Sequence, residues 1–227
     1  DPFVPYDGTI DARLDWTVGR RGIPYLDWGI FDRSYLLSHD GGPYCHIKST
    51  FWEKDRATSL GSFEGWAFVT SVNYTMIRFA DVLLMAAEAE IEVGSPEKAR
   101  TYVNFVRARA ANPAGFVQKG GAPAANYVIN QYPAGWAKDD ATREKVRFER
   151  KLELSGEGHR YYDLARWSGA YGAPASDYVE RVLSAYIAYE APKLPSGAFT
   201  GSVFTKVRDL WLPIPQGQID LLGEDVL

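Results

Sequence analysis

The chain has 227 residues, with 25 Lys and Arg against 29 Asp and Glu and a formal net charge of −4. That length is one large domain or two small ones at about 100–200 residues each, enough to bury about 70% of the surface the unfolded chain exposes. The acidic balance offers no overall basic field for nucleic acid. The single cysteine, Cys45, excludes an intrachain disulfide and a cysteine-rich zinc site. The longest apolar run, Val82 to Ala87, is far too short to span a membrane. Aromatic residues reach 14%, an excess that serves either a bulky core or stacking platforms for flat ligands. The chain opens Asp1-Pro2-Phe3-Val4-Pro5, with neither an initiator methionine nor a signal peptide, and reads as a mature or truncated product.

Residues 1–75 are rich in Gly, Pro, Asp and aromatics and read as a loop-rich segment with small helices or strands, held against a neighbour. Turn chemistry marks Arg20 to Pro24 and His39 to Pro43, and Tyr44 to Phe51 reads as a short strand. Residues 76–111 predict a helical hairpin. Ile77, Ala80, Leu84, Ala87 and Ile91 recur at helical spacing, and Val82, Leu83, Met85 and Ala89 fill most of the remaining circumference, so the first helix is expected to be nearly surrounded by protein. Gly94 ends it, Ser95 caps the next helix and Pro96 takes its first position. Ala99, Tyr102, Val103, Val106 and Ala110 form the second apolar stripe. With Gly94 in the loop, Ala87 and Ala99 fall at the small crossing positions of a tetratricopeptide unit of about 34 residues. Its bulky aromatic positions are unmatched and only one such unit is found, so partner repeats are expected outside this chain.

Residues 112–138 read as a long surface excursion. Charged helices follow over 139–190: one from about Asp139 to Ser155, one from His159 to about Trp167 after a break at Gly156 and Gly158, and one from Asp177 to Glu190 with an Asp177/Glu180 capping box. The prolines of Leu210-Trp211-Leu212-Pro213-Ile214-Pro215 predict extended chain.

Between Thr142 and Arg166 lie seven bases and five acids. Glu149, Glu153 and Glu157, at i, i+4 and i+8, would share one face of a helix that stays regular through Gly156. Two carboxylates at such spacing could serve a retaining glycosidase. A catalytic acid, however, needs a raised pKa, whereas acids interleaved with Arg read as neutralised. The reading favoured here is an ion-pair network with Arg78, Arg107, Arg150, Arg160 and Arg166 as candidate partners. His39, His46 and His159 show no metal-ligand spacing, and there is neither a nucleophile elbow nor a phosphate-binding glycine loop. Cys45 beside His46 reads as a buried structural thiol, because neighbours in a strand face opposite ways. The stronger functional lead is the set of rings in loop-like sequence: Trp16, Tyr25, Trp28, Tyr35, Tyr44, Trp52 and Trp66. Most are expected to plug a loop-rich core and one or two to meet a ligand.

The blocks Ile77 to Ala89, Asn104 to Arg109, Glu149-Arg150 through Glu153-Leu154, Glu157 to Leu164, Arg166-Trp167 and Leu212 to Pro215 together resemble the SusD/RagB family. Upstream, Arg13 to Asp15 and Val18 to Gly29 also resemble it. The blocks keep the family's order over nearly the whole chain. The resemblance implies an all-α fold with tetratricopeptide-like helix pairs, long loops and few short strands, here as a C-terminal portion, residues 1–227, of a longer chain. It implies a non-catalytic, surface-exposed outer-membrane lipoprotein that binds oligosaccharide or polysaccharide and delivers it to a SusC-like TonB-dependent transporter. The lipid anchor and the N-terminal half with which this portion would pack lie outside this chain. The candidate carbohydrate-binding residues are Trp28, Tyr35, Trp52 and Trp66, with no catalytic residue, metal, cofactor or nucleic-acid partner. The alternatives are an α-helical glycoside hydrolase using two of the three glutamates, and a helical-repeat scaffold that binds only protein.

Overall fold

A computed structural model describes residues 6–35, 44–64, 67–170, 176–193, 199 and 201–222. The chain divides into two compact units, residues 1–158 and 159–227.

In the first unit, α3 (Phe79–Val93) and α4 (Pro96–Ala110) form the predicted hairpin, with α5 (Asp140–Glu153) packed against both. Leu84, Ala87 and Ile91 of α3 meet Ala99, Val103 and Val106 of α4 and Val146 of α5, and Trp136 closes this core. Ala87 and Ala99 are completely buried at the crossing, where a larger side chain would push the backbones apart. Phe79, Val82, Met85, Ala89 and Val93 make a second stripe on α3 that is exposed among the described residues. The expectation of a helix nearly surrounded by protein therefore holds on one side only.

The ends of α3, α4 and α5 follow the sequence with one correction at Ser95. Pro96 opens α4, but Ser95 makes no side-chain cap; its backbone N–H donates to Glu90 instead. Asp139 does cap α5, its carboxylate accepting from the Thr142 N–H at 2.7 Å.

The segment expected as a surface excursion is largely exposed, and it is anchored at a few points. Asn104 exchanges two hydrogen bonds with the backbone of Tyr132, at 2.8 and 2.9 Å, and Glu97 accepts from the N–H groups of Gly135 and Trp136. These bonds satisfy loop backbone groups that burial would otherwise leave unpaired, and they let Trp136 and Tyr127 enter cores. Within the segment, β5 (Gln118–Lys119) and β6 (Ala122–Pro123) form a small hairpin.

The aromatic N-terminal part is held by short elements. α1 (Arg13–Thr17) runs into β1 (Val18–Gly19), which pairs antiparallel with β2 (Cys45–His46) inside the predicted strand segment. Tyr25, Phe31 and Ile47 form a core with Trp28, Tyr35 and Cys45 packed on it. Cys45 is half-buried, its Sγ 3.6 Å from the Tyr25 hydroxyl, and His46 is exposed. The small helices and strands expected among the loops of residues 1–75 include α2 (Arg56–Ser59) and the hairpin of β3 (Leu60–Glu64) with β4 (Ala67–Thr70).

The second unit contains α6 (His159–Arg166), α7 (Tyr178–Glu190), α8 (Lys206–Asp209) and α9 (Gln216–Leu222), of which α8 and α9 were not anticipated. Leu164, Trp167, Tyr178, Val179 and Leu210 form its core. The expected capping box is absent: Asp177 makes no side-chain cap, and Glu180 accepts from the Lys206 N–H at 2.8 Å.

Truncating the centre of the hairpin core should be costly. Leu84→Ala is expected to destabilise the chain by ~2–5 kcal/mol through lost burial and a residual cavity, whereas Val82→Ala, on the exposed stripe, should cost under about 1 kcal/mol. Urea unfolding measures both, and equal losses would contradict this division of the α3 faces.

Candidate functional site

The glutamate stripe becomes the electrostatic centre of the first unit. Glu149 and Glu153 project from successive turns of α5 and are almost wholly buried. The helix ends at Glu153, and Gly156, with φ +76°, turns the chain so that Glu157 rejoins the cluster from outside the helix. A side chain at position 156 would be strained by that φ, and its Cβ would sit 2.5 Å from the His46 ring.

Cations arrive from four directions. Arg13 of α1 donates to Glu149 at 2.6 Å, to Glu153 at 3.0 Å and to Asp11 at 2.7 Å. From α4, Arg107 reaches Glu149 at 2.8 Å and Arg109 reaches Glu153 at 2.7 Å. Arg78, just before α3, pairs with both Glu153 and Glu157, and Lys48 pairs with Glu157 at 2.6 Å. Lys48 and Arg78 also donate to the Glu153 carbonyl, placing positive charge at the C-terminal end of α5 where its dipole is negative. Burial alone would raise the Glu153 carboxyl, but Arg109, Arg78 and Arg13 bring it below its ordinary value. Glu157 is likewise lowered against its burial by Arg78 and Lys48. Burial lowers the Lys48 ammonium, opposed by Glu157.

The sequence reading therefore gathered the right carboxylates but only two of their partners, Arg78 and Arg107. Arg13, Lys48 and Arg109 were missed as partners, although Arg13 and Arg109 lie in the family-like blocks. Arg150 pairs with Asp81 at 2.7 Å, and Arg166 with Asp163 at 2.9 Å. Arg160 lies in the second unit, stacked 6.0 Å from the Trp167 ring centre.

Beside this network opens a cleft of about 540 Å³. Its lining combines the charged side chains of Arg13, Lys48, Arg78, Arg109, Glu153 and Glu157 with Trp16, Trp52, Leu26, Ile47 and Tyr74, and with Thr50, Asn73 and Thr75 as neutral polar groups. Trp16 and Trp52 also line a smaller hollow of about 240 Å³ with Phe116 and Val117. The Trp16 indole is fixed by donating to the Gly115 carbonyl at 2.8 Å while its ring stays 37% exposed; Trp52 is 39% exposed.

Of the four predicted carbohydrate-binding residues, Trp52 lines the cleft. Trp28 and Tyr35 are not among its lining residues. The Trp28 indole donates to the Phe51 carbonyl at 2.8 Å, and the Tyr35 hydroxyl donates to the Trp28 carbonyl at 2.7 Å, on the Tyr25–Phe31 core. Trp66 lies outside the described residues. Trp16, in the aromatic set but not among the four, is the additional ring at the cleft. Its partner Gly115 is 99 residues away in sequence, so no local pattern could have singled it out. Among the described residues no three His, Cys, Asp or Glu side chains group to hold a metal ion.

A helical-hairpin scaffold, an ion-paired centre and an adjoining cleft lined in part by aromatic rings together define a mostly helical protein with a concave surface. The chain belongs to the SusD family, whose model matches residues 2–224. It is 42% identical over 101 residues to SusD-like protein P25 of Formosa agariphila, covering 44% of this chain and 16% of that protein. SusD-like protein P2 of the same organism is 37% identical over 102 residues, covering 43% and 17%. The fold is similar to the crystal structure of a SusD homolog from Bacteroides thetaiotaomicron, with a TM-score of 0.58 and 24% identity over 93% of this chain and 39% of that one. The matches thus span about a sixth of the curated relatives and about two-fifths of the solved chain.

Two predictions test the network. Glu153→Ala should cost on the order of 3–5 kcal/mol, because removing one buried partner strands several guanidinium groups; an unchanged denaturation midpoint would refute it. The second concerns pH. Glu153 and Glu157 titrate below their ordinary 4.5 when folded, so their contribution to stability is complete above that value and is lost as pH falls through the depressed folded values. The melting temperature should therefore hold from neutrality to about pH 5 and drop steeply below about 4.5.

Proposed function

We propose that this chain is part of a glycan-binding protein of the bacterial cell surface. The parent protein captures oligosaccharide or polysaccharide and delivers it to a SusC-like TonB-dependent transporter at the outer membrane, held there by a lipid anchor. Membership of the SusD family is the observation that carries this reading. The cleft supports it: half-exposed indoles offer flat apolar faces to sugar rings, and flanking hydroxyl, amide and cationic groups can bond their hydroxyls. Within the cleft the proposed stacking residues are Trp16 and Trp52, with Trp28 and Tyr35 shaping the loops that carry them. The exposed apolar stripe of α3 supports a helical neighbour from the remainder of the parent protein.

The role proposed is non-catalytic. A glycosidase acid needs a carboxyl held protonated near neutrality, whereas Glu153 and Glu157 are both pulled below their ordinary value by neighbouring cations.

The test is affinity electrophoresis of the parent protein through gels containing plant, microbial and host polysaccharides. Trp52→Ala and Trp16→Ala should each lower affinity for the retarding glycan by roughly 10-fold, the scale of one lost stacking contact, with Trp28→Ala lowering thermal stability more than affinity. Full retention of binding in both cleft variants would remove the cleft from the glycan site. Release of new reducing ends by the purified protein would overturn the non-catalytic reading.

A further inference from the structure

We infer that the cleft selects an acidic oligosaccharide, seating a sugar-borne carboxylate or sulfate against Arg109 at its rim. The inference rests on the glycan-binding reading and adds the charge class of the ligand.

The first observation is a charge imbalance. Around the cleft and directly behind it, five cations, Arg13, Lys48, Arg78, Arg107 and Arg109, face four carboxylates, Asp11, Glu149, Glu153 and Glu157. On the lining itself the imbalance is larger: four of those cations stand against Glu153 and Glu157 alone. This occurs in a chain whose net charge is −4.

The second observation is that the acceptors are spent and the donors are not. Every carboxylate oxygen of Glu149, Glu153 and Glu157 already accepts from a cation. Arg109, by contrast, donates to Glu153 only from Nη2 among the described residues, so its Nε and Nη1 N–H groups are not used in that pair. Lys48 uses two of its three donors, on the Glu153 carbonyl and on Glu157. A lining with donors to spare favours a ligand rich in acceptors, and a guanidinium suits a planar carboxylate or a sulfate with paired hydrogen bonds.

The third observation places the surplus where a ligand can reach it. Side-chain exposure rises from 9% at Arg13 to 26% at Arg78 and 58% at Arg109. Arg109 thus presents its charge on the same cleft lining as Trp16 and Trp52, so that a bound oligosaccharide can stack on a ring while an anionic group meets the guanidinium.

The test uses the full-length parent protein, titrated calorimetrically at low and high salt with oligogalacturonate, sulfated carrageenan oligosaccharide and neutral cello-oligosaccharide of matched length. One anionic series should bind at least about 10-fold more tightly than the neutral one, and its affinity should fall as salt rises. Which series binds distinguishes carboxylate from sulfate. Arg109→Gln should lower that affinity about 10-fold and flatten its salt dependence, while Arg109→Lys should keep part of both. Equal or tighter neutral binding overturns the inference and leaves the glycan reading standing. Anionic binding unaffected by Arg109→Gln in a protein with unchanged melting temperature places the anion elsewhere and overturns it as well. Binding of no sugar in any series overturns both readings together.

Discussion

The first unit is organised by the need to neutralise two carboxylates that α5 carries into buried positions. An unpaired ion there costs several kcal/mol, and one cation cannot satisfy both oxygens of two glutamates. Glu149 and Glu153 therefore recruit guanidinium groups from α1, from the start of α3 and from α4. These elements are fixed relative to one another because each supplies charge to the same small volume. Apolar packing at Leu84, Val103 and Val146 brings the three long helices together, but it is non-directional. The ion pairs add orientation, since a guanidinium donates to carboxylates only along its N–H directions.

The same constraint explains why short elements can be ordered in so aromatic and glycine-rich a segment. A one-turn helix such as α1 has almost no intrinsic stability. It persists because Arg13 is clamped among Asp11, Glu149 and Glu153 on one side, and because Asp15 binds Arg20 at 2.5 Å and accepts from the Tyr127 hydroxyl at 2.7 Å on the other. Tyr127 belongs to the long segment between α4 and α5, so this contact also ties that segment down. Trp16, lying between Arg13 and Asp15 on one side and Thr17 on the other, is left facing outward by the burial of its neighbours.

What was legible in the sequence follows the range of the interaction. The α3–α4 hairpin, the start of α5 at Asp139 and the break at Gly156 are local patterns of spacing, capping and backbone freedom, and the residues announce them. The glutamate stripe was visible for the same reason. Its partners were not, because Arg13 and Glu149 are 136 residues apart and no periodicity links them. The segment 112–138 looked like a surface excursion because its composition is that of a loop. It does run over the surface, but Asn104 and Glu97, side chains of another element, supply hydrogen bonds that pin it, so that Val117, Tyr127 and Trp136 are buried within it. Among the candidate rings, Trp28, Tyr35 and Trp52 are alike in sequence context. Only three-dimensional packing separates the pair that supports the Tyr25–Phe31 core from the one that lines the cleft.

The coupling of network and cleft bears on how such a site works. Hydrogen-bond donors that are already oriented need little reorganisation when a ligand arrives, so more of the interaction energy appears as affinity. Here the orientation is imposed from behind: Arg109 and Arg78 are held by Glu153, whose own position is set by α5 and by Arg13. The aromatic part of the lining is braced in the same manner, with the Trp16 indole tethered to the Gly115 carbonyl. The groups that hold this unit together are thus the groups that shape the proposed binding surface. A substitution deep in the network, at Glu149 for example, would reach the cleft through Arg13 and Arg107 without touching a ligand. Stability and recognition therefore have to be separated by comparing buried members of the cluster with its exposed rim, and the gradient from Arg13 to Arg109 provides that series within one connected set of ion pairs.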